Sequence, residues 1–89
     1  MELTIREDGF LSKRIMRLDD SGVVCKTGSI SMEEFSFGYK EIDHIFLRRD
    51  QFSVQVGQDV FTIRVNVRHQ KFQQLLTILS QHLGWPMQY

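Results

Sequence analysis

The residues best suited to chemistry form a basic cluster in the segment Lys13-Arg14-Ile15-Met16-Arg17. Lys and Arg bind phosphate oxygens through charge-assisted hydrogen bonds, and Arg can do so with two parallel bonds. Lys13, Arg14 and Arg17 are therefore the candidates for binding an anion such as a lipid headgroup. The alternative is that these three residues form an ordinary solvated strand face.

A second basic group lies in the second half of the chain, in part around the start of the predicted terminal helix. Its members are Arg48, Arg49, Arg64, Arg68, His69 and Lys71. We expect nearby aspartates to neutralise them as weak surface ion pairs. A nucleic-acid site would also need exposed aromatic side chains for stacking, but Phe52, Phe61 and Phe72 all fall on the predicted core face. The sequence therefore predicts no nucleic-acid partner.

Cys25 and the three histidines are the remaining candidates for catalysis or metal binding. Cys25 lies beside Val23 and Val24, a pattern typical of a buried strand, where a free cysteine behaves as a small hydrophobic residue. A nucleophilic pair of Cys25 with His44 remains an alternative, but sequence spacing does not show that they meet. His44, His69 and His82 lack metal-ligand spacing, and no glycine-rich phosphate loop is present. We predict no catalytic residue, metal or cofactor, and hence no enzyme.

The C-terminal segment, residues 85–89, combines Trp85, Met87 and Tyr89. Aromatic and methionine side chains are enriched at the centres of binding interfaces, whereas chain ends are usually polar. Two interpretations follow: Trp85 and Met87 fold back to plug one end of the domain, or the three residues form an interface.

Strands must position these side chains, because most of the chain alternates apolar and polar residues with a period of two. The predicted strands begin near Leu3, Phe10, Val23, Ile30, Ile45, Phe52 and Phe61. The second, Phe10 to Leu18, has apolar residues on both faces and is expected to contain a bend or bulge. Between Ile30 and Ile45 we expect a slip of the alternation at Glu33-Glu34, then a single helical or 3₁₀ turn after Gly38.

A terminal helix is predicted from about Arg68 to Leu83, because the apolar period changes from two to 3.6. Its apolar stripe consists of Phe72, Leu75, Leu76, Leu79 and Leu83. Asn66 is the expected N-cap, and Gly84 followed by Pro86 is a stop signal. An isolated helix of this length is marginal in water, so the stripe must pack on the strands.

Length and composition support one small globular domain. The chain has 89 residues, of which 42% are hydrophobic and 25% are charged. Its 11 basic and 11 acidic residues cancel, which removes the electrostatic reason to expect binding to nucleic acid or anionic membranes in general. Without a spanning stretch or a secretory signal, and with one cysteine, the chain is expected to be soluble and cytoplasmic.

The order of these elements resembles the pleckstrin-homology-like (PH-like) superfamily, in particular small bacterial PH-like and GRAM-like domains. The features that carry the resemblance are the turn Leu18-Asp19-Asp20-Ser21-Gly22-Val23, the segment Phe37-Gly38-Tyr39-Lys40-Glu41-Ile42-Asp43-His44-Ile45, and the closing strand with its leucine-rich helix. The resemblance covers about Leu3 to Leu83. It implies an antiparallel sandwich or open barrel of about seven strands over residues 1–84, capped by the helix and followed by a short tail, 85–89.

For function, we expect a non-catalytic module that binds protein, either another chain or a second copy of itself. The sequence offers no catalytic constellation and no charge excess, while a half-open sheet leaves strand edges that accept a partner strand. Homo-oligomers are frequent among the bacterial domains that the chain resembles. The alternative is a module that binds anionic lipid headgroups through Lys13, Arg14 and Arg17.

Overall fold

The computed structural model describes residues 2–66 and 68–84, which form two antiparallel sheets and one terminal helix. Sheet 1 contains β1 (Leu3–Asp8), β2 (Lys13–Leu18), β3 (Val23–Gly28) and β4 (Met32–Phe37). A 3₁₀ turn (Tyr39–Glu41) leads to sheet 2, which contains β5 (His44–Arg48), β6 (Gln51–Val56) and β7 (Asp59–Arg64). Helix α1 (Gln70–Leu83) follows. The prediction of a mainly β fold with seven strands and one C-terminal helix is confirmed.

Strand β2 is shorter and more regular than the sequence indicates. It begins at Lys13, and every residue to Leu18 has one partner on β1 and one on β3, so the expected bend or bulge is wrong. Phe10 lies in the turn between β1 and β2. Its aromatic type favours a strand, but Gly9 and Ser12 close the turn with a 2.8 Å hydrogen bond from the Gly9 amide to the Ser12 carbonyl.

Strand β4 also runs without the slip that we expected at Glu33-Glu34. Its residues pair one to one with β3, from Met32 opposite Gly28 to Phe37 opposite Val23. Ile30 lies in the preceding turn and takes no part in the alternation. The apparent change of phase arose from counting this turn residue as part of the strand, and from Met32, an apolar residue on the exposed face of β4.

The core lies between the inner faces of the two sheets and the apolar face of α1. Phe72 and Leu75 are fully buried, and the buried residues of the helix also include Ile78, which the predicted stripe omits. Leu83, which the stripe includes, is only half-buried. The helix therefore packs on the sheets as predicted, with its buried face rotated slightly toward Ile78.

The N-cap of α1 is His69, so the prediction of Asn66 is wrong. The Nδ1 atom of His69 accepts a hydrogen bond of 3.1 Å from the Lys71 amide. The Asn66 Oδ1 atom instead accepts from the Arg68 amide at 2.9 Å, which closes a turn just before the helix. Asn is a favoured cap because its short side chain bonds nearby amides, and here it does so one turn too early to start the helix. Within residues 2–66 and 68–84, no helix is long and apolar enough to cross a bilayer.

Candidate functional site

The three residues of the basic cluster lie on two faces of β2. Lys13 and Arg17 point to the outer face of sheet 1, four residues apart, whereas Arg14 shares the inner side with Met16 and Leu18. Four residues of extended strand span about 13 Å. Lys13 and Arg17 therefore share the outer face of β2 but lie about 13 Å apart, and Arg14 lies on the opposite face.

The Arg14 side chain on sheet 1 makes a hydrogen bond to sheet 2. Its Nη1 atom donates a 2.7 Å hydrogen bond to the carbonyl oxygen of Thr62 on β7. Opposite Arg14 on the neighbouring strand is Glu7, whose Oε1 atom accepts a 2.6 Å bond from the Arg64 amide, also on β7. A cross-strand acid and base thus bond a carbonyl and an amide of β7 that would otherwise need another strand.

The edge of β1 is covered in a similar way by the helix. The Lys71 ammonium donates a 3.0 Å hydrogen bond to the Thr4 carbonyl oxygen. Lys71 belongs to the second basic group, and its contact replaces a strand partner for β1. One edge strand of each sheet, β1 and β7, is therefore bonded to side chains from elsewhere in the chain.

The other two edge strands, β4 and β5, are open. In the described part of the chain, no backbone amide or carbonyl of either strand bonds outside its own sheet. Three core-facing residues next to these edges, Phe35, Ile45 and Leu47, remain half-buried although they pack against the core. Phe52, opposite Leu47 on the interior strand β6, is fully buried. An additional strand beside β4 or β5 would bury their core-facing side chains to a similar extent.

Two hairpin tips at one end of sheet 1 carry exposed apolar side chains. Phe10 and Leu11 on the β1–β2 tip are 100% and 77% exposed, and Ile30 on the β3–β4 tip is 101% exposed. The tips lie about two strand spacings apart, or about 10 Å. Sequence reasoning missed this surface because it placed these residues in strands. The small polar residues that flank them, Ser12 and Ser29 among them, are the signal that would have found the turns.

A polar groove of about 400 Å³ lies beside the β2–β3 turn. Its carboxylates already bond backbone amides of their own turns: Asp19 accepts from Ser21 at 2.8 Å, and Glu41 accepts from Gly38 at 2.6 Å. The Tyr39 hydroxyl donates to the Asp19 carbonyl oxygen at 2.6 Å. The groove is therefore built from side chains that hold local structure, with Arg17 at its wall.

Cys25 and His44 do not share a surface. Cys25 lies on the inner face of sheet 1, 1% exposed, between Met16 on β2 and Phe35 on β4. His44 is exposed on the outer face of sheet 2, with its ring centroid 6.1 Å from that of Phe46. The structure thus places Cys25 inside the core and His44 in solvent on another sheet.

The Cys25 thiol is expected to be unreactive in the folded protein. Burial raises its pKa from 9.0 to about 12, because the thiolate is poorly solvated in the core. A thiol with a raised pKa favours the folded state below pH 9 and loses that contribution as the pH rises toward 12. At pH 8, we expect a disulfide reagent to label Cys25 only after denaturant unfolds the chain; rapid labelling of folded protein would contradict the buried position.

Tyr39, in the 3₁₀ turn that follows β4, also has a raised pKa. Burial, followed by the charges of Asp19 and Asp20, raises its pKa from 10.0 to about 12. Its ring also stacks on His82 of the helix, with centroids 4.0 Å apart and ring planes 2° apart. The stacked rings join the C-terminal turn of α1 to the 3₁₀ turn, and the hydrogen bond from the Tyr39 hydroxyl to Asp19 connects both to the β2–β3 turn.

Two further sequence-based candidates are a metal site and an aromatic C-terminal segment. Among the residues that the structure describes, no group of three His, Cys, Asp or Glu side chains is arranged to hold a metal ion. Trp85, Met87 and Tyr89 lie outside the described residues, so the choice between a plug and an interface stays a prediction.

Comparison of the chain with protein-family models, curated proteins and solved structures found no match. The PH-like resemblance therefore stays a prediction, while the arrangement of strands and helix that it implies is present. The open edges of β4 and β5 are the most distinctive surfaces of the chain.

Proposed function

We propose that this chain is a non-catalytic PH-like domain that binds protein along the open edges of its sheets. The observation that carries this proposal is the unequal treatment of the four edge strands. Side chains of the same chain bond backbone groups of β1 and β7, whereas β4 and β5 present unbonded backbone groups within the described residues.

An open edge of this kind favours an extended protein segment as the ligand. A partner strand supplies a row of alternating amides and carbonyls, which a lipid or a nucleic acid lacks. The same partner would cover Ile45 and Leu47, whose half-burial leaves apolar surface in contact with water. A single unpaired cysteine suits a reducing compartment, which supports a cytoplasmic location for this activity.

A photo-crosslinking residue in place of Phe46 tests the proposal directly. Phe46 is 46% exposed on β5, so a probe there reaches any strand that pairs with this edge. After irradiation in an extract of the source cells, we expect a discrete adduct with a second copy or with one other protein. The same probe in place of Gln74, exposed on the helix, is the control. Equal, diffuse labelling from both positions would rule out the edge as a binding surface.

A second candidate function is binding to an anionic membrane, and the hairpin tips are the observation that favours it. Phe10, Leu11 and Ile30 project from one end of sheet 1, and Lys13 starts the strand between the two tips. Apolar side chains that enter the interface, next to a cation for the headgroups, are the features of a peripheral membrane surface. Asp8, opposite Lys13, and Glu33 reduce the positive charge at this end.

Co-sedimentation with phosphatidylserine vesicles at low salt separates this second candidate from the first. If the tips enter membranes, the wild-type chain sediments, and the combined change Phe10→Ser and Ile30→Ser reduces the bound fraction at least about tenfold. These side chains are fully exposed, so thermal stability should stay unchanged. A wild-type chain that stays in the supernatant removes the membrane candidate and leaves the protein-binding proposal intact.

A further inference from the structure

The two open edges carry opposite charges at complementary ends. Strand β4 is acidic near its start, where Glu33 and Glu34 are exposed, and the Glu34 carboxylate also lies 3.6 Å from the Lys26 ammonium on β3. Strand β5 ends in Arg48 and is followed directly by Arg49, and both guanidinium groups are exposed. Antiparallel strands place the start of one beside the end of the other, so these charges meet only in an antiparallel pair.

We propose that a second copy of this chain is the partner, and that β4 of one copy pairs in antiparallel fashion with β5 of the next. This inference rests on the proposed function, since it names the protein that occupies the open edges. In the register that matches the charges, Glu34 lies opposite Arg48 of the next copy, and Glu33 lies opposite its Arg49. Opposite charges that face each other across a strand pair stabilise it, whereas like charges destabilise it.

The same register matches the apolar residues without further adjustment. Phe35 falls opposite Leu47 of the next copy, and Phe37 falls opposite its Ile45. All four side chains point toward the core of their own sheet, so pairing continues the inner face from one copy to the next. A shift by two residues would place Glu33 opposite Leu47 and remove both charge pairs. Charge and hydrophobicity therefore select one register together.

Each copy offers one β4 edge and one β5 edge. The pairing closes as a two-fold dimer when both edges meet the same neighbour, and it forms a larger ring or an open filament when they meet different neighbours. Pairing of β5 with β5 would instead bring Arg48 opposite His44, without an opposing acid. The zero formal net charge of the chain means that copies do not repel each other at long range.

The experiment compares the mass of the chain in solution with that of two charge-reversed variants. One variant reverses β4 through Glu33→Lys and Glu34→Lys, and the other reverses the end of β5 through Arg48→Glu and Arg49→Glu. Light scattering over a wide range of concentrations gives the mass of each, and circular dichroism confirms that each is folded. A matched control, Arg6→Glu with Arg68→Glu, reverses two exposed cations on β1 and in the turn before α1, outside both open edge strands.

We expect the wild-type chain and the control to form oligomers in a concentration-dependent way. Each reversed variant places like charges at both contacts, so its dissociation constant should rise at least about tenfold. An equimolar mixture of the two reversed variants restores opposite charges at every contact, and we expect it to assemble again. Recovery on mixing is a result that simple misfolding of either variant cannot produce.

Several outcomes would overturn the inference. A wild-type chain that stays monomeric at all concentrations excludes the second copy as the partner, while the crosslink at position 46 still decides whether another protein binds there. Oligomers that form equally well in both reversed variants show that copies meet at a different surface. Reversed variants that stay monomeric when mixed exclude the pairing of β4 with β5.

Discussion

Replacement of Phe72 by alanine is expected to lower the free energy of unfolding by about 3–5 kcal/mol. Phe72 is fully buried on the first turns of α1, and its ring fills space between the helix and the sheets. Alanine removes that apolar surface from the core and leaves a cavity that the surrounding strands fill only in part. The total stability of a domain of this size is about 5–10 kcal/mol, so the loss is a large share of it. Urea titration followed by circular dichroism measures the change.

Gln74→Ala is the matched control for Phe72→Ala. Gln74 lies two residues further along the same helix and is exposed, so its replacement should change the free energy of unfolding by less than about 0.5 kcal/mol. Leu76→Ala, on the buried face, should cost about 2–5 kcal/mol. If Phe72→Ala and Gln74→Ala were equally harmless, the packing of α1 on the sheets would be wrong.

The helix and the regular strands could be predicted because the spacing of apolar residues within each segment identifies its secondary structure and its buried face. The helix is an example: Phe72, Leu75 and Leu79 recur at helical spacing, and all three are buried. Strand β6 is another, since Phe52 and Val54 alternate with polar residues and lie in the core. In both elements, one face meets the core along its whole length, so local spacing alone identifies it.

The turns at the hairpin tips could not be located in the same way. Phe10 and Ile30 have the residue types of strands, yet both lie in turns and are fully exposed. A turn residue contributes no alternation, so including it shifts the apparent phase of the strand that follows. The expected bulge near Phe10 and the expected slip at Glu33-Glu34 came from counting the turn residues Leu11 and Ile30, and from two apolar residues on outer strand faces, Ile15 and Met32.

Contacts between distant segments were also outside the reach of the sequence. Arg14 bonds Thr62 across 48 residues, and Glu7 bonds the amide of Arg64 across 57 residues. These contacts depend on how the two sheets meet, which no local pattern encodes. The same holds for the open edges: that β4 and β5 lack a partner while β1 and β7 have one becomes visible only once all strands are placed.

Replacement of Gly22 by alanine is the second change for which we expect a large effect, a loss of about 2–4 kcal/mol in the free energy of unfolding. Gly22 has a φ of +155°, a conformation that side chains rarely adopt. A Cβ atom there would also lie 2.6 Å from the carbonyl oxygen of Phe37, at the end of β4. Backbone strain and a backbone clash therefore act together at the turn that joins β2 to β3.

Gly57→Ala is a comparison in which the clash is absent and the backbone strain is smaller. Gly57 has a φ of +61°, but a Cβ atom there would meet nothing within 4 Å, so only the backbone term of about 1–2 kcal/mol applies. Thermal and urea unfolding of both variants should therefore show the larger loss at Gly22. Equal losses would mean that the backbone at position 22 relaxes and that Phe37 moves away from the new methyl group without cost. Because Phe37 is buried and its strand leads directly into the 3₁₀ turn that carries Tyr39, such a movement would disturb the core, and we expect the clash to persist.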